Sequence, residues 1–447
     1  MNTAVQFNSI APWTSLLPTE WGLCRLDAVA DVIFSNVDKH TIEDESPVRL
    51  CNYVDVYRNE RITSKIDFME ASAEPREITK FQVRTNDVLV TKDSERPDDI
   101  AISALVAEDL PGVICGYHLA LIRPRSRRIS GAFLAWLHAS KPFRAHYEAR
   151  AVGVTRFGLS QHSFRELLIP LPSLTEQDRI TAYLDKSCAA IDAAVAAKRS
   201  QIQTLNALRK STIKNAVTKG LNPSVAKRRT DVPWIPEMPE HWRLTHVKDV
   251  MEFFNTVRIP LSAAERGVMT DKTFDYYGAS GVIDKVELYL FDGTYILIAE
   301  DGANLLTRSK PLAFLATGKF WVNNHAHILK PRWNGDDVFF VNLLESQDYS
   351  LFVTGAAQPK LTMENLGRFH LAVPPVEEQK EIAAFIEEKD AEFIKLFKQI
   401  ERQIETLLAY RKSLIHECVT GQRRISEADV TRARRGGSES GRQSAVA

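Results

Sequence analysis

The sequence predicts a mixed α/β (α+β) protein, written as an internal repeat, with two long helices that form a coiled coil. Three observations carry this. Two constant stretches each occur twice in the chain. The longer one runs about 43 residues without Pro or Gly and carries an apolar heptad stripe. The segments before it hold short β-forming runs broken by turns. At 447 residues the length suggests two or three domains.

The repeat comes first because it sets every boundary. Leu17-Pro18-Thr19-Glu20-Trp21 resembles Met238-Pro239-Glu240-His241-Trp242 at an offset of 221 residues, and Leu26 and Val29 match Val247 and Val250. From Leu159 onward an ungapped offset of 202 superposes Pro172 on Pro374, Glu176-Gln177 on Glu378-Gln379, Arg209-Lys210-Ser211 on Arg411-Lys412-Ser413 and Val217-Thr218 on Val419-Thr420. The variable middles differ by 19 residues in length and share little sequence. Constant ends around divergent middles suggest one scaffold presenting two surfaces.

The first variable region covers 1–158 and contains strand-like Val88–Thr91 and Leu119–Ile122 and a helical Ala132–Ala139. The first constant segment, 159–221, opens a helix at Ser173-Leu174-Thr175-Glu176, which has the S-x-x-E form of a capping box. Residues 222–241 are Pro-rich and charged and read as a linker. The second variable region, 242–358, has strand-like Tyr295–Ile298 and His327–Leu329 and a helical Val338–Leu344. The second constant segment is 359–421, and 422–447 reads as a disordered tail poor in apolar residues.

Each long helix could reach ~65 Å. Ile386, Phe393, Ile400, Leu407 and Leu414 recur every seven residues; Leu184, Ile191 and Leu205 answer in the first copy, interrupted by Lys198 and Thr212. The first helix carries a net charge of +4 over 175–219 and the second −3 over 377–419. Opposite charge favours pairing of one helix with the other. Two amphipathic helices, each packed on its own domain, satisfy the same pattern.

Composition narrows the function. With 57 basic and 57 acidic residues the chain is neutral, which argues against a uniformly basic DNA coat but leaves local basic faces open. No apolar run approaches a membrane span, and the N-terminal residues lack the pattern of a signal peptide. Five scattered cysteines read as reduced thiols, so a cytoplasmic protein is expected.

Catalytic motifs are missing. There is no G-x-x-x-x-G-K-S/T phosphate loop, no G-x-S-x-G and no H-E-x-x-H. Pro374-Pro375 lacks the neighbours of an amino-methyltransferase motif, Tyr277–Gly281 is a weak Gly-rich loop, and Pro97-Asp98-Asp99 has no D/E-x-K. His325-Ala326-His327 would set two imidazoles on one face of a strand, but no third metal ligand is evident. The segment Asn323, Asn324, His325, His327 is dense in donors and acceptors, and Asn can bridge adenine while Arg or Lys can bridge guanine. His118 lies at the comparable place in the first unit. Arg156, and Gln358 with Lys360, precede the constant segments; Lys92, Arg96 and Arg308 are further candidates for DNA contact. Each is equally at home as a solvated surface group.

The duplicated pattern of a divergent α/β region, P-x-x-x-E-Q, a long helix and R-K-S…V-T resembles the specificity subunit of type I restriction-modification systems over nearly the whole chain. The resemblance implies two target recognition domains, each reading half of a split double-stranded DNA site, with the two helices pairing antiparallel between them. It implies no catalytic activity and no cofactor on this chain. Two methyltransferase subunits would bring S-adenosylmethionine for adenine methylation, and restriction subunits ATP and Mg. Half-site centres about one DNA turn, ~34 Å, apart would face one side of the duplex, with the helices as the ruler. A protein–protein scaffold and a fused methylase or nuclease are the alternatives from other classes.

Overall fold

The computed structural model describes residues 12–125, 127–355 and 357–443. The chain folds as two compact units, residues 1–198 with 402–447 and residues 199–401. The division passes through both long helices and does not follow the expected boundaries at 158, 221 and 358.

In the first unit a five-stranded sheet runs in the order Ala30–Phe34, Leu119–Pro124, Val88–Thr91, Ser103–Val106, Arg61–Ile62. Its two central strands are buried on both faces, which explains their continuous apolar sequences. A three-stranded sheet of Met69–Ala73, Ser46–Cys51 and Val113–Cys115 lies over its own apolar cluster, which takes in Leu89 and Leu121. In the second unit a six-stranded sheet takes the order Met251–Phe253, Ala326–Pro331, Phe291–Ala299, Ala313–Val322, Phe274–Gly278, Gly281–Val286. Each unit also has a short antiparallel pair that leads into its long helix: Gly22–Arg25 with Leu168–Leu171, and Arg243–His246 with His370–Val373.

The two long helices are Leu174–Lys219 and Val376–Val419. In each unit they run antiparallel. Asp192 pairs with Arg411 at 3.0 Å, and Glu176 with Arg424 beyond the second helix at 2.9 Å, in the first unit. In the second, both oxygens of Asp390 accept from Arg209 at 2.7 Å. The predicted stripe is the buried seam: Leu184, Ile191, Ile386, Phe393, Ile400 and Leu414 are buried, and Leu407 is half-buried. The seam also packs on the domains, since Ile180, Leu184 and Leu414 share one cluster with Val88, Ile122 and Phe133. In the first unit pairing and domain packing are therefore one core.

The constant motifs turn out to be joints. The indole of Trp21 donates to Glu176 at 3.0 Å, and that of Trp242 to Glu378 at 3.1 Å. Gln177 accepts from the backbone N–H of Ser130 and donates to the carbonyls of Pro172 and Arg128; Gln379 accepts from the N–H of Asp336 and donates to the carbonyl of Pro374. Ser130 and Asp336 are the N-caps of the equivalent helices Gly131–Ala139 and Asp337–Glu345. The E-Q pair thus ties the start of each long helix to a domain helix and to the Trp of the short motif. Ser173 does accept from the Glu176 N–H at 3.3 Å, but the Glu176 carboxylate turns to Trp21 and Arg424, so the expected reciprocal box is only half formed. Each long helix stops at a left-handed glycine, Gly220 (φ +76°) or Gly421 (φ +75°). A Cβ on Gly421 would lie 2.3 Å from Pro18 and 3.3 Å from Trp21.

Two expectations fail. Residues 222–241 are not a loose linker: Lys227–Val232 and Ile235–Pro239 form a hairpin whose Trp234 stacks on Phe369 and donates to the His370 carbonyl at 3.1 Å. Pro233 sits at its turn, Pro236 opposite the register shift and Pro239 at its end, so a Pro-rich composition concealed it. Nor is 422–447 disordered over its described part. Glu427–Gln443 is helical, Ser426 and Asp429 cap each other, and Ile425 and Val430 are buried in the core of the first unit. Two well-placed apolar residues were enough to anchor a segment whose composition is polar. Among the described residues no helix is long and apolar enough to cross a membrane.

Candidate nucleic-acid interface

Several of the predicted contact residues fall on loops at one end of the interior strands of each main sheet. In the first unit the strand Val88–Thr91 ends at Lys92-Asp93, and His118 stands just before the strand Leu119–Pro124 that pairs with it. The hairpin Val152–Gly158 then lies against Asp93, because Phe157–Gly158 pairs with Asp93–Ser94. This register brings three cations or potential cations to one carboxylate. Asp93 accepts from His118 Nδ1 at 2.9 Å, from Arg156 at 3.0 Å and from Lys92 at 3.4 Å. The Lys92 ammonium also sits 4.3 Å from the ring centre of the exposed Tyr117, a cation–π contact that orients it.

The second unit repeats this edge. Ala299 and Ala326 pair as Thr91 and Leu119 do, so Asp301 corresponds to Asp93 and His325 to His118. His325 Nδ1 is 2.8 Å from Asp301, matching the first dyad. Glu300, at the place of Lys92, collects Arg258 at 2.6 Å and Lys360 at 3.2 Å. Burial works against the Glu300 charge, yet the hydrogen bonds from Arg258 and Lys360 hold its carboxyl below the usual range.

The remaining candidates separate. His327 does not share a face with His325. It is fully buried, its Nε2 donates to the Leu361 carbonyl at 2.7 Å and its Nδ1 accepts from Asn255. Burial pushes its pKa down, so it is a neutral core residue. Asn323 is buried and accepts from the His325 N–H at 2.9 Å, which makes it a turn former. Asn324 is exposed and offers its carbonyl to Arg258. Arg96 is committed to Asp98 in an exposed pair, and Arg308 to Glu345; neither reaches the cluster. Lys92, His118 and Arg156 come together in one unit; in the other, His325 and Lys360 reach the adjacent Asp301 and Glu300, and Gln358 is exposed on the loop before Lys360.

Sequence reading missed the acidic centres Asp93, Glu300 and Asp301, and Arg258. The signal was present but shifted. His118 and His325 differ by 207 positions and Asp93 and Asp301 by 208, neither of which is the offset of the constant segments.

The chain is a duplicated α/β frame with paired helices and a matched polar edge in each copy, and comparison with known proteins shows what it is similar to. Residues 239–406 match the type I restriction modification DNA specificity domain. A Haemophilus influenzae chain, S.HindORF215P, described as a type I restriction enzyme specificity subunit, is 31% identical over 139 residues, 31% of this chain and 35% of that one. A Methanocaldococcus jannaschii chain described as the MjaX specificity subunit is 22% identical over 425 residues, 92% of this chain and 95% of that one. Two solved structures share the fold. One, from work on complex assembly and conformational transition of the type I R-M system, is 17% identical with TM-score 0.67 over 90% of this chain and 98% of that one. The other, the HsdS subunit from Thermoanaerobacter tengcongensis, is 18% identical with TM-score 0.50 over 91% and 98%. Residues 239–406 thus carry a type I restriction modification DNA specificity domain, and the chain as a whole is similar to type I specificity subunits.

Proposed function

We propose that this chain reads a bipartite site in double-stranded DNA, one half-site per unit, and carries two methyltransferase subunits and restriction subunits while catalysing nothing itself. The observation that carries the reading is the duplicated edge: the same strands, the same His–Asp dyad and the same hairpin present different polar side chains in the two units. A frame held constant while its outward groups differ is what two unlike half-sites require. The carboxylate at the centre of each cluster offsets much of its positive charge. Affinity for phosphate is then modest, and the methyltransferase subunits supply further backbone contacts. S-adenosylmethionine belongs on those subunits, and ATP with Mg on the restriction subunits. The whole complex works in a prokaryotic cytoplasm.

The test exchanges residues 22–158 for the corresponding region of another family member. One half-site should change and the other stay. A change in both halves, or in neither, would overturn one-domain-per-half reading, and an assembled complex that binds all DNA equally would favour a scaffold.

A further inference from the structure

The hairpin that ends each variable region is the same object in both units. Val152 pairs with Gly158 and Gly158 with Asp93. Thr354 and Asp301 each bridge to Lys360, the corresponding position. Leu159 then donates its N–H to the Lys92 carbonyl and Leu361 to the Glu300 carbonyl, both at 2.8 Å, and both leucines are buried anchors. Inside the loop, Gly153 and Gly355 are required: a Cβ would lie 1.9 Å from the carbonyl oxygen of Arg156 in one and 2.6 Å from that of Gln358 in the other. The backbone therefore delivers residues 156 and 358 to equivalent places, three positions after the glycine and exposed in both.

We propose that this position reads a base in each half-site, Arg156 selecting guanine and Gln358 selecting adenine. The assignment rests on the DNA reading proposed above. Guanine shows two acceptors, O6 and N7, in the major groove, which suit a donor-only guanidinium; adenine shows an acceptor and a donor, which suit a carboxamide. Asp93 decides between base and backbone for Arg156. A carboxylate 3.0 Å from the guanidinium offsets its charge and repels a nearby phosphate, while it fixes the plane of the donors. Nη1 and Nε have no partner among the described residues, since the bond to Asp93 and the 3.5 Å contact to His118 Nε2 both run through Nη2. The Gln358 side chain has no hydrogen-bond partner among the described residues, so its amide can present either end.

The experiment selects bound duplexes from a randomised library with the full chain assembled with its methyltransferase subunits, using wild type, Arg156→Gln and Gln358→Arg. Arg156→Gln should turn one guanine into adenine in one half-site, a swing of about ten- to a hundredfold in preference, with the other half unchanged. Gln358→Arg should do the reverse in the opposite half. Uniformly weaker binding with an unchanged sequence preference would assign the residues to phosphate or loop stability and overturn the proposal. If Arg156→Gln unfolds its loop, judged by melting, Gln358→Arg still decides, because it breaks no internal bond. A wild type that enriches no split sequence would overturn the reading of the previous section, and this assignment with it.

Discussion

Replacing Gln177 by Ala tests whether the E-Q motif is a structural joint. The Gln177 side chain is completely buried and makes three bonds, accepting from the Ser130 N–H at 2.9 Å and donating to the carbonyls of Arg128 at 2.7 Å and Pro172 at 2.9 Å. Ala leaves all three backbone groups without that partner. At about 1.5 kcal/mol each the loss is ~4.5 kcal/mol. The unburied rotamer freedom of Gln returns ~1.5 kcal/mol, so the net cost is about 3 kcal/mol. Gln379 makes two such bonds, and the same arithmetic gives ~1.5 kcal/mol for Gln379→Ala. For domains of 150–250 residues, 3 kcal/mol lowers the melting temperature by roughly 6–12 °C. Amide exchange locates the effect: protection of residues 131–139 should fall about a hundredfold in Gln177→Ala. Gln177→Glu should cost at least as much, because its carboxylate would face two carbonyl oxygens. Unchanged protection of that helix, or a tolerated Gln177→Glu, would refute the joint.

Three further outcomes follow from the geometry. Leu414→Asp places an unpaired charge at a fully buried seam position and should cost several kcal/mol, seen as a lower unfolding midpoint in urea; wild-type stability would contradict the seam. Burial holds the His138 imidazole down at about 4 from 6.5, with Nδ1 donating to the Leu134 carbonyl and Nε2 accepting from the Tyr147 hydroxyl. The unfolded chain takes up this proton near 6.5 and the folded chain does not, so stability should fall by about 3 kcal/mol as pH drops from 6.5 to 4. His138→Gln should remove that part of the slope, and an unaltered pH dependence would exclude the neutral buried form. Four residues inserted near Gln201 should lengthen the first helix by ~6 Å. Selection on DNA of variable spacing should then prefer one or two more unread base pairs at ~3.4 Å each, less if the second helix bulges, and an unchanged preference would place the ruler in the partner subunits.

The local patterns of the chain were readable because their causes are local. Helix periodicity and the absence of Pro and Gly place the long helices, and the strand Val88–Thr91 falls where its β-branched run lies. The hairpin at 227–239 and the capped tail helix escaped because a single Trp and two buried aliphatics outweigh an otherwise polar composition. The acidic centres escaped for another reason. Asp93 meets Arg156 across 63 positions, through strand register that no spacing rule announces.

By itself the sequence determined that one unit is written twice, where the long helices run, which residues make their apolar stripes, and which family the chain resembles. Those facts live in periodicity and repetition. Tertiary structure alone decided what the constant residues do: Glu176 and Gln177 join a helix start to an indole and to a helix cap, rather than closing a capping box. It also decided which candidates share a site, gathering Arg156 and His118 on Asp93 while burying His327 and sending Arg308 to Glu345. The repeat offset shifts from 221 to 208, 207 and 202 as loops lengthen or shorten, so equivalence between the copies is carried by hydrogen-bonded register and not by distance along the chain.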